Sequence, residues 1–361
     1  MYGRIIDCFN RPITGPAAGS IKCLKRGMPI HGECHLPDDV QDTLLSDKEF
    51  SKDQYHECLN LSSYNYLGFG QPGHKLCEQN VLHTLNTYGT STTCSPLYGG
   101  STDLHRKLEE TVANFLNVED AMVFGMGWGV NATAIPALVG KGSLIISDSI
   151  NHNSIVTGAR ASGAKIKTFQ HDDMDELERI VRRSIIEGQP RTHRPWKKIL
   201  IVVEGVYSME GEVCDLAGVV EIKKKYKCYL YLDEAHSIGA VGKTGRGACE
   251  YAGVDTRDID IMMGTFTKSF GAIGGYIAGR KELIEAVKQI CASQMFSAGL
   301  SPPCVSQVIS AFTVIDSEEG KKRINQLHEN SDLMRKELND AGLYVVGDYG
   351  SAGVSMFIFP P

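Results

Sequence analysis

The sequence predicts an α/β fold in which a mostly parallel sheet is covered by helices on both faces. Three observations lead there. Short, near-continuous apolar runs recur along the chain, amphipathic helical stretches lie between them, and polar clusters follow several of the runs. The candidate strands are AMVF (121–124), SLIISD (143–148), AKIKTF (164–169), KILIVVEG (198–205), CYLYLDEA (228–235) and DIDIMMGTF (258–266). The intervening helices include LHRKLEETVANFL (104–116) and MDELERIVRRSIIEG (174–188), the second with Leu177, Ile180, Val181 and Ile185 on one face.

Residues 1–63 are rich in proline, glycine and charge and read as an irregular arm or connector. Residues 64–297 carry the alternating pattern and form the large domain. Residues 298–361 open with Pro302-Pro303, continue as a long helical segment through Arg335, and end in a strand pair, YVVGD and VSMFIF. That last portion reads as a smaller α+β domain cut short.

The 361 residues allow one large domain and a smaller one. With 42% hydrophobic and 22% charged residues the composition is that of an ordinary globular protein. A net charge of −6 offers no basic footprint for nucleic acid. The eleven cysteines form no CxxC pair, which suggests reduced thiols rather than a disulfide framework. His31, Cys34 and His35, near Cys23, lack metal-site spacing and read as a plain loop. The start lacks the pattern of a signal peptide. Residues 121–140 hold no charge and match a membrane span in length, but four glycines, Asn131 and Pro136 interrupt them. A buried strand–loop–helix is expected instead.

Open parallel sheets bind ligands at the carboxyl ends of their strands. Four polar clusters fall at such ends: Gly125–Gly129, Ser147–His152, Asp233–His236 and Thr265–Lys268. A lysine after an apolar strand, flanked by hydroxyls and glycines, is placed to be a partly buried amine able to form a Schiff base. An aspartate at the next strand end suits the ring nitrogen of a pyridoxal cofactor, and His236 would lie near its phenolic oxygen. The glycines before Val130, at a helix start, offer backbone N–H groups to one phosphate, with Asn131 in the same cradle. His152 is placed to lie over the ring, and Ser208 to reach the phenolic oxygen.

Two rival readings fail. DEAH also occurs in helicase-type ATPases, but those need GxxxxGK[ST] upstream. Here the nearest match, Ser237–Thr244, lies downstream and has serine in the first glycine position. The GxGxx[GA] match at Gly127–Ala132 would suit a dinucleotide but leaves Lys268 and Asp233 unexplained.

Together GTFTKSFG (264–271), PRTHRPWKK (190–198), LSSYNYLGF (61–69), VEGVYSMEGEV (203–213) and YLDEAHSIGAVGKTGRG (231–247) resemble the α-oxoamine synthases. These are fold-type-I, aspartate-aminotransferase-like enzymes that use pyridoxal 5'-phosphate to join an amino acid to an acyl-CoA with loss of CO₂. The resemblance is strongest to the branch that condenses L-serine with palmitoyl-CoA to 3-ketosphinganine, the first step of sphingolipid synthesis. It implies that Lys268 bonds the cofactor, Asp233 faces the pyridinium nitrogen, and His236 and Ser208 approach the phenolic oxygen. It further implies that His152 stacks on the ring and that Gly127, Trp128 and Thr265 hold the phosphate, with no metal. The expected partner is a related subunit lacking the lysine, and the expected location is the cytosolic face of the endoplasmic reticulum, with no span in this chain. The resemblance also implies an N-terminal anchoring region and a C-terminal substrate-carboxylate arginine outside these 361 residues. Pro96 stands where the family often has arginine, and Ser297 is the remaining hydroxyl in the 296–300 loop. A synthase using glycine or alanine, or a non-catalytic scaffold subunit, is the alternative.

Overall fold

The computed structural model describes residues 12–16, 18–26, 36–46, 48–61 and 63–357. The His31, Cys34 and His35 cluster lies outside the described residues. The chain divides into two compact units, one of residues 1–64 and 70–73, the other of residues 65–69 and 74–361.

In the first unit β1 (Ile13–Thr14), β2 (Ser20–Leu24) and β3 (Tyr55–Leu59) form an antiparallel sheet in that order. Helix α1 (Asp38–Leu44) lies between β2 and β3 in sequence. The expected irregular stretch therefore contains regular structure. Cys23, Leu24 and Val40 are buried here, whereas β3 has no buried residue. A ladder held by backbone pairing with mostly wet side chains leaves little apolar periodicity to read.

The second unit begins with α2 (Lys75–Tyr88), α3 (Asp103–Leu116), β4 (Asp120–Phe124), α4 (Gly127–Leu138), β5 (Leu144–Asp148), α5 (Asn153–Ser162) and β6 (Lys165–Phe169). It continues through α6 (Met174–Glu187), β7 (Ile199–Glu204), α7 (Leu216–Tyr226), β8 (Tyr229–Asp233), α8 (Ala248–Ala252), β9 (Ile261–Thr265) and β10 (Gly275–Gly279). The last elements are α9 (Lys281–Ile290), α10 (Ala292–Phe296), α11 (Pro302–Ile315), α12 (Glu318–Asp340), β11 (Tyr344–Val346) and β12 (Ser355–Phe357). Seven of the described strands make one sheet in the order β4-β10-β9-β8-β7-β5-β6, parallel except for β10. Every residue of β4, β5, β9 and β10 is buried, as a sheet covered on both faces requires. The predicted fold class and all six predicted strands are borne out.

Residues 121–140 are β4, a turn and α4, as expected. Among the described residues no helix is long and apolar enough to cross a membrane. The helical region after Pro302 is two helices rather than one. Ser317 breaks it, its hydroxyl accepting the Gly320 N–H at the start of α12. The expected closing strand pair is present as β11 and β12.

On α6 Leu177 and Val181 are buried, but Ile185 is 44% exposed, which corrects its expected place. Ser184 occupies the inward position instead. Its hydroxyl donates to Ile180 O at 2.6 Å and accepts from Lys167 Nζ at 2.9 Å. With both capacities used, the polar group buries without penalty.

Strand β10 escaped the sequence reading because glycine is disfavoured in strand interiors and here bounds the strand at both ends. Its fit explains the choice. Tyr276 pairs directly with Gly264 on β9, and a Cβ at Gly264 would lie 2.4 Å from the tyrosine ring. Tyr276 is fully buried, so Gly264→Ala is expected to destabilise the fold by about 1–3 kcal/mol through overpacking. Urea denaturation would show this as a lower midpoint at unchanged slope.

Candidate active site

The carboxyl ends of β4, β7, β8 and β9 and the residues after β5 surround one cavity of about 210 Å³. Seven expected residues line it: Gly127, Trp128, His152, Asp233, His236, Thr265 and Lys268. Ser208 does not. It is half-buried in the loop after β7 and lies off the cavity wall.

Asp233 ends β8 and is 3% exposed. Its Oδ1 accepts the Ala235 N–H at 2.8 Å, and its Oδ2 accepts from Asn131 Nδ2 at 2.7 Å. Asn131 is fixed in turn, because its Oδ1 accepts the Tyr231 hydroxyl at 2.7 Å and its amide also donates to Ser154 Oγ. The sequence reading put Asn131 in the phosphate cradle. The structure corrects this: the side chain serves the carboxylate, since its place on α4 turns it toward the end of β8. Donors fixed in this way hold a carboxylate in one orientation without reorganisation.

Lys268 lies in the turn after β9, and burial pushes its amine below the ordinary lysine range, against the pull of Asp233 and Glu204. Glu204 ends β7, is 3% exposed, and accepts the His152 backbone N–H at 2.5 Å. Burial and then the neighbouring Asp233 charge raise its carboxyl well above the usual carboxylate range. Burial first, then Lys268 and His152, lowers His236 to about 2, so its imidazole is neutral at physiological pH. Its Nδ1 lies 2.8 Å from the Tyr66 hydroxyl.

His152 caps α5, its Nδ1 accepting the Ser154 N–H at 3.2 Å and lying 2.7 Å from Ser154 Oγ. Helix α4 starts at Gly127 with no side-chain cap, leaving its first N–H groups at the cavity edge. A Cβ at Gly127 would lie 2.6 Å from Thr265 Oγ1, so only glycine leaves this cradle open. Thr265 donates to Gly274 O at 3.0 Å and stands 2.6 Å from Thr267 Oγ1.

Sequence reasoning missed Glu204, Tyr66 and Thr267, and gave Asn131 the wrong partner. Glu204 was within reach, since the strand-end rule that selected Asp233 applies to it equally. Asn131 and Tyr66 carry no local signal, because each meets its partner only through the tertiary fold.

A family model described as aminotransferase class I and II matches residues 56–358. Long chain base biosynthesis protein 2d of Oryza sativa subsp. japonica is 50% identical over 365 residues, covering 100% of this chain and 72% of that protein. Serine palmitoyltransferase 2 of Dictyostelium discoideum is 45% identical and also covers 100% of this chain and 72% of that protein. A solved serine palmitoyltransferase from S. paucimobilis, with bound PLP–myriocin aldimine, superposes with a TM-score of 0.76 at 28% identity. That match covers 84% of this chain and 75% of the other.

Proposed function

The chain belongs to the aminotransferase class I and II family, and on that premise we propose that it is the catalytic subunit of a serine C-palmitoyltransferase. The reaction joins L-serine to palmitoyl-CoA and releases CO₂, CoA and 3-ketosphinganine. One observation carries the reading: a buried, pKa-depressed lysine shares a cavity with a carboxylate fixed by Asn131 and Ala235. Relatives of this chain are named for long-chain-base synthesis, and a structural neighbour binds PLP.

The residues present fit pyridoxal phosphate. The uncapped start of α4, with Gly127 and Trp128, and the Thr265 hydroxyl suit its phosphate, and Asp233 suits its ring nitrogen. When bound, the cofactor supplies an aldehyde that bonds an amine and a ring that takes up electron density. Lys268 offers the amine, because burial favours its neutral, nucleophilic form. The same amine, in its neutral form, would serve as the base for the α-proton of serine. His152 covers one side of the cavity, held by Ser154 and Glu204. The neutral His236, oriented by Tyr66, would serve the phenolic oxygen. Ser208, off the wall, carries no role in this assignment.

We place the large domain at residues 64–297 and a smaller one at residues 298–361. A related subunit lacking the lysine completes the enzyme at the cytosolic face of the endoplasmic reticulum. The test is turnover of the chain co-purified with such a subunit, followed as free CoA thiol and released CO₂. L-Serine is expected to support both signals far better than glycine or alanine. Equal turnover with glycine would overturn the choice of serine, and no turnover with any amino acid would leave a scaffold subunit.

A further inference from the structure

His171, in the turn between β6 and α6, stands outside the cavity but touches the segment that leads to His152 and the loop that follows Glu204. Its Nδ1 lies 3.0 Å from Asp148 Oδ2, and its Nε2 lies 3.0 Å from Glu212 Oε2. Carboxylates on both ring nitrogens can be satisfied together only if both nitrogens carry protons. The two carboxylates belong to different loops. Asp148 is 3% exposed and accepts the Ile150 N–H at 3.1 Å, which shapes the turn leading to His152. Glu212 closes the 207–212 loop, where its carbonyl accepts the Tyr207 N–H at 2.9 Å. Tyr207 presents its ring edge-on to His171 at 4.3 Å, and its hydroxyl accepts the Glu204 N–H at 3.3 Å. Glu204 in turn accepts from His152, so the chain of contacts closes on itself.

We propose that His171 is a positioning residue, an imidazolium brace that fixes the His152 loop and the Glu204–Glu212 segment around the cofactor cavity. The ionisable groups facing it are Asp148 at the end of β5, Asp172 beside it, and Tyr207 and Glu212 on the loop after β7. Burial opposes its charge, yet Asp148, Glu212 and Asp172 outweigh burial and raise it above the usual histidine value. The contribution of the brace is therefore full just below the ordinary histidine value and is lost as pH rises through the raised one. The inference rests on the proposed cofactor site.

Two measurements test it. In the cofactor-free protein, NMR titration with labelled histidine should show His171 titrating above about 6.5, the value of an unperturbed histidine. Glu212→Gln should bring that titration down. Titration of His171 at or below the unperturbed value would overturn the proposal. In the second, the PLP affinity of wild type should fall about tenfold as pH rises through the His171 titration. His171→Gln should start about tenfold weaker and lack that fall, whereas a profile like wild type would refute the brace. Absence of any PLP band in wild type would instead count against the cofactor site and leave the NMR result standing.

Discussion

Lys268→Ala is expected to abolish the visible absorption band that forms when the chain is mixed with pyridoxal phosphate. Turnover should fall by about a hundred- to ten-thousand-fold from the lost proton transfer alone. The band requires an amine bonded to the cofactor aldehyde, and Lys268 is the lysine that lines the cavity among the described residues. Thermal stability should change little, because the substitution removes a charge that burial already disfavours. It also removes one cause of the low His236 value, so His236 should become easier to protonate. A band of wild-type strength in the alanine variant would take Lys268 out of its role.

The second large effect belongs to Asp233→Asn. On the proposed assignment of Asp233 to the ring nitrogen, loss of this preorganised charge is expected to lower turnover by about a hundred- to a thousand-fold while leaving PLP bound. Two neighbours report the electrostatics without any catalysis. Asp233 helps to hold Glu204 up, so Glu204 should ionise more readily in the variant. Asp233 also pulls the Lys268 amine upward, so the variant amine should drop further. In cofactor-free protein, the rate of acylating Lys268 with a small reagent should reach half-maximum at lower pH than in wild type. An upward shift would contradict the proximity of the two groups.

The sequence displays the parallel part of this molecule because burial on both faces forces continuous apolar runs, as in LIISD and ILIVVE. The same strand-end logic led directly to Asp233, His236 and Lys268. It missed where partners come from distant parts of the chain. Tyr66 meets His236, and Asn131 meets both Asp233 and Tyr231, through folding rather than local pattern. The first unit was opaque for the opposite reason, since its strands pair through backbone with few buried side chains. The match of β10 to β9 depends on a glycine facing a tyrosine, a complementarity with no periodic signature.

The place of β10 also bears on how the molecule assembles. Gly275 pairs on one side with Thr265, a near neighbour in sequence, and on the other with Phe124, far earlier in the chain. Closing the first pairing costs little loop entropy, while the second waits for a long segment to return. The hairpin that presents Lys268 can thus organise early in refolding. The uncapped start of α4, which follows β4, joins it only when the sheet edge closes.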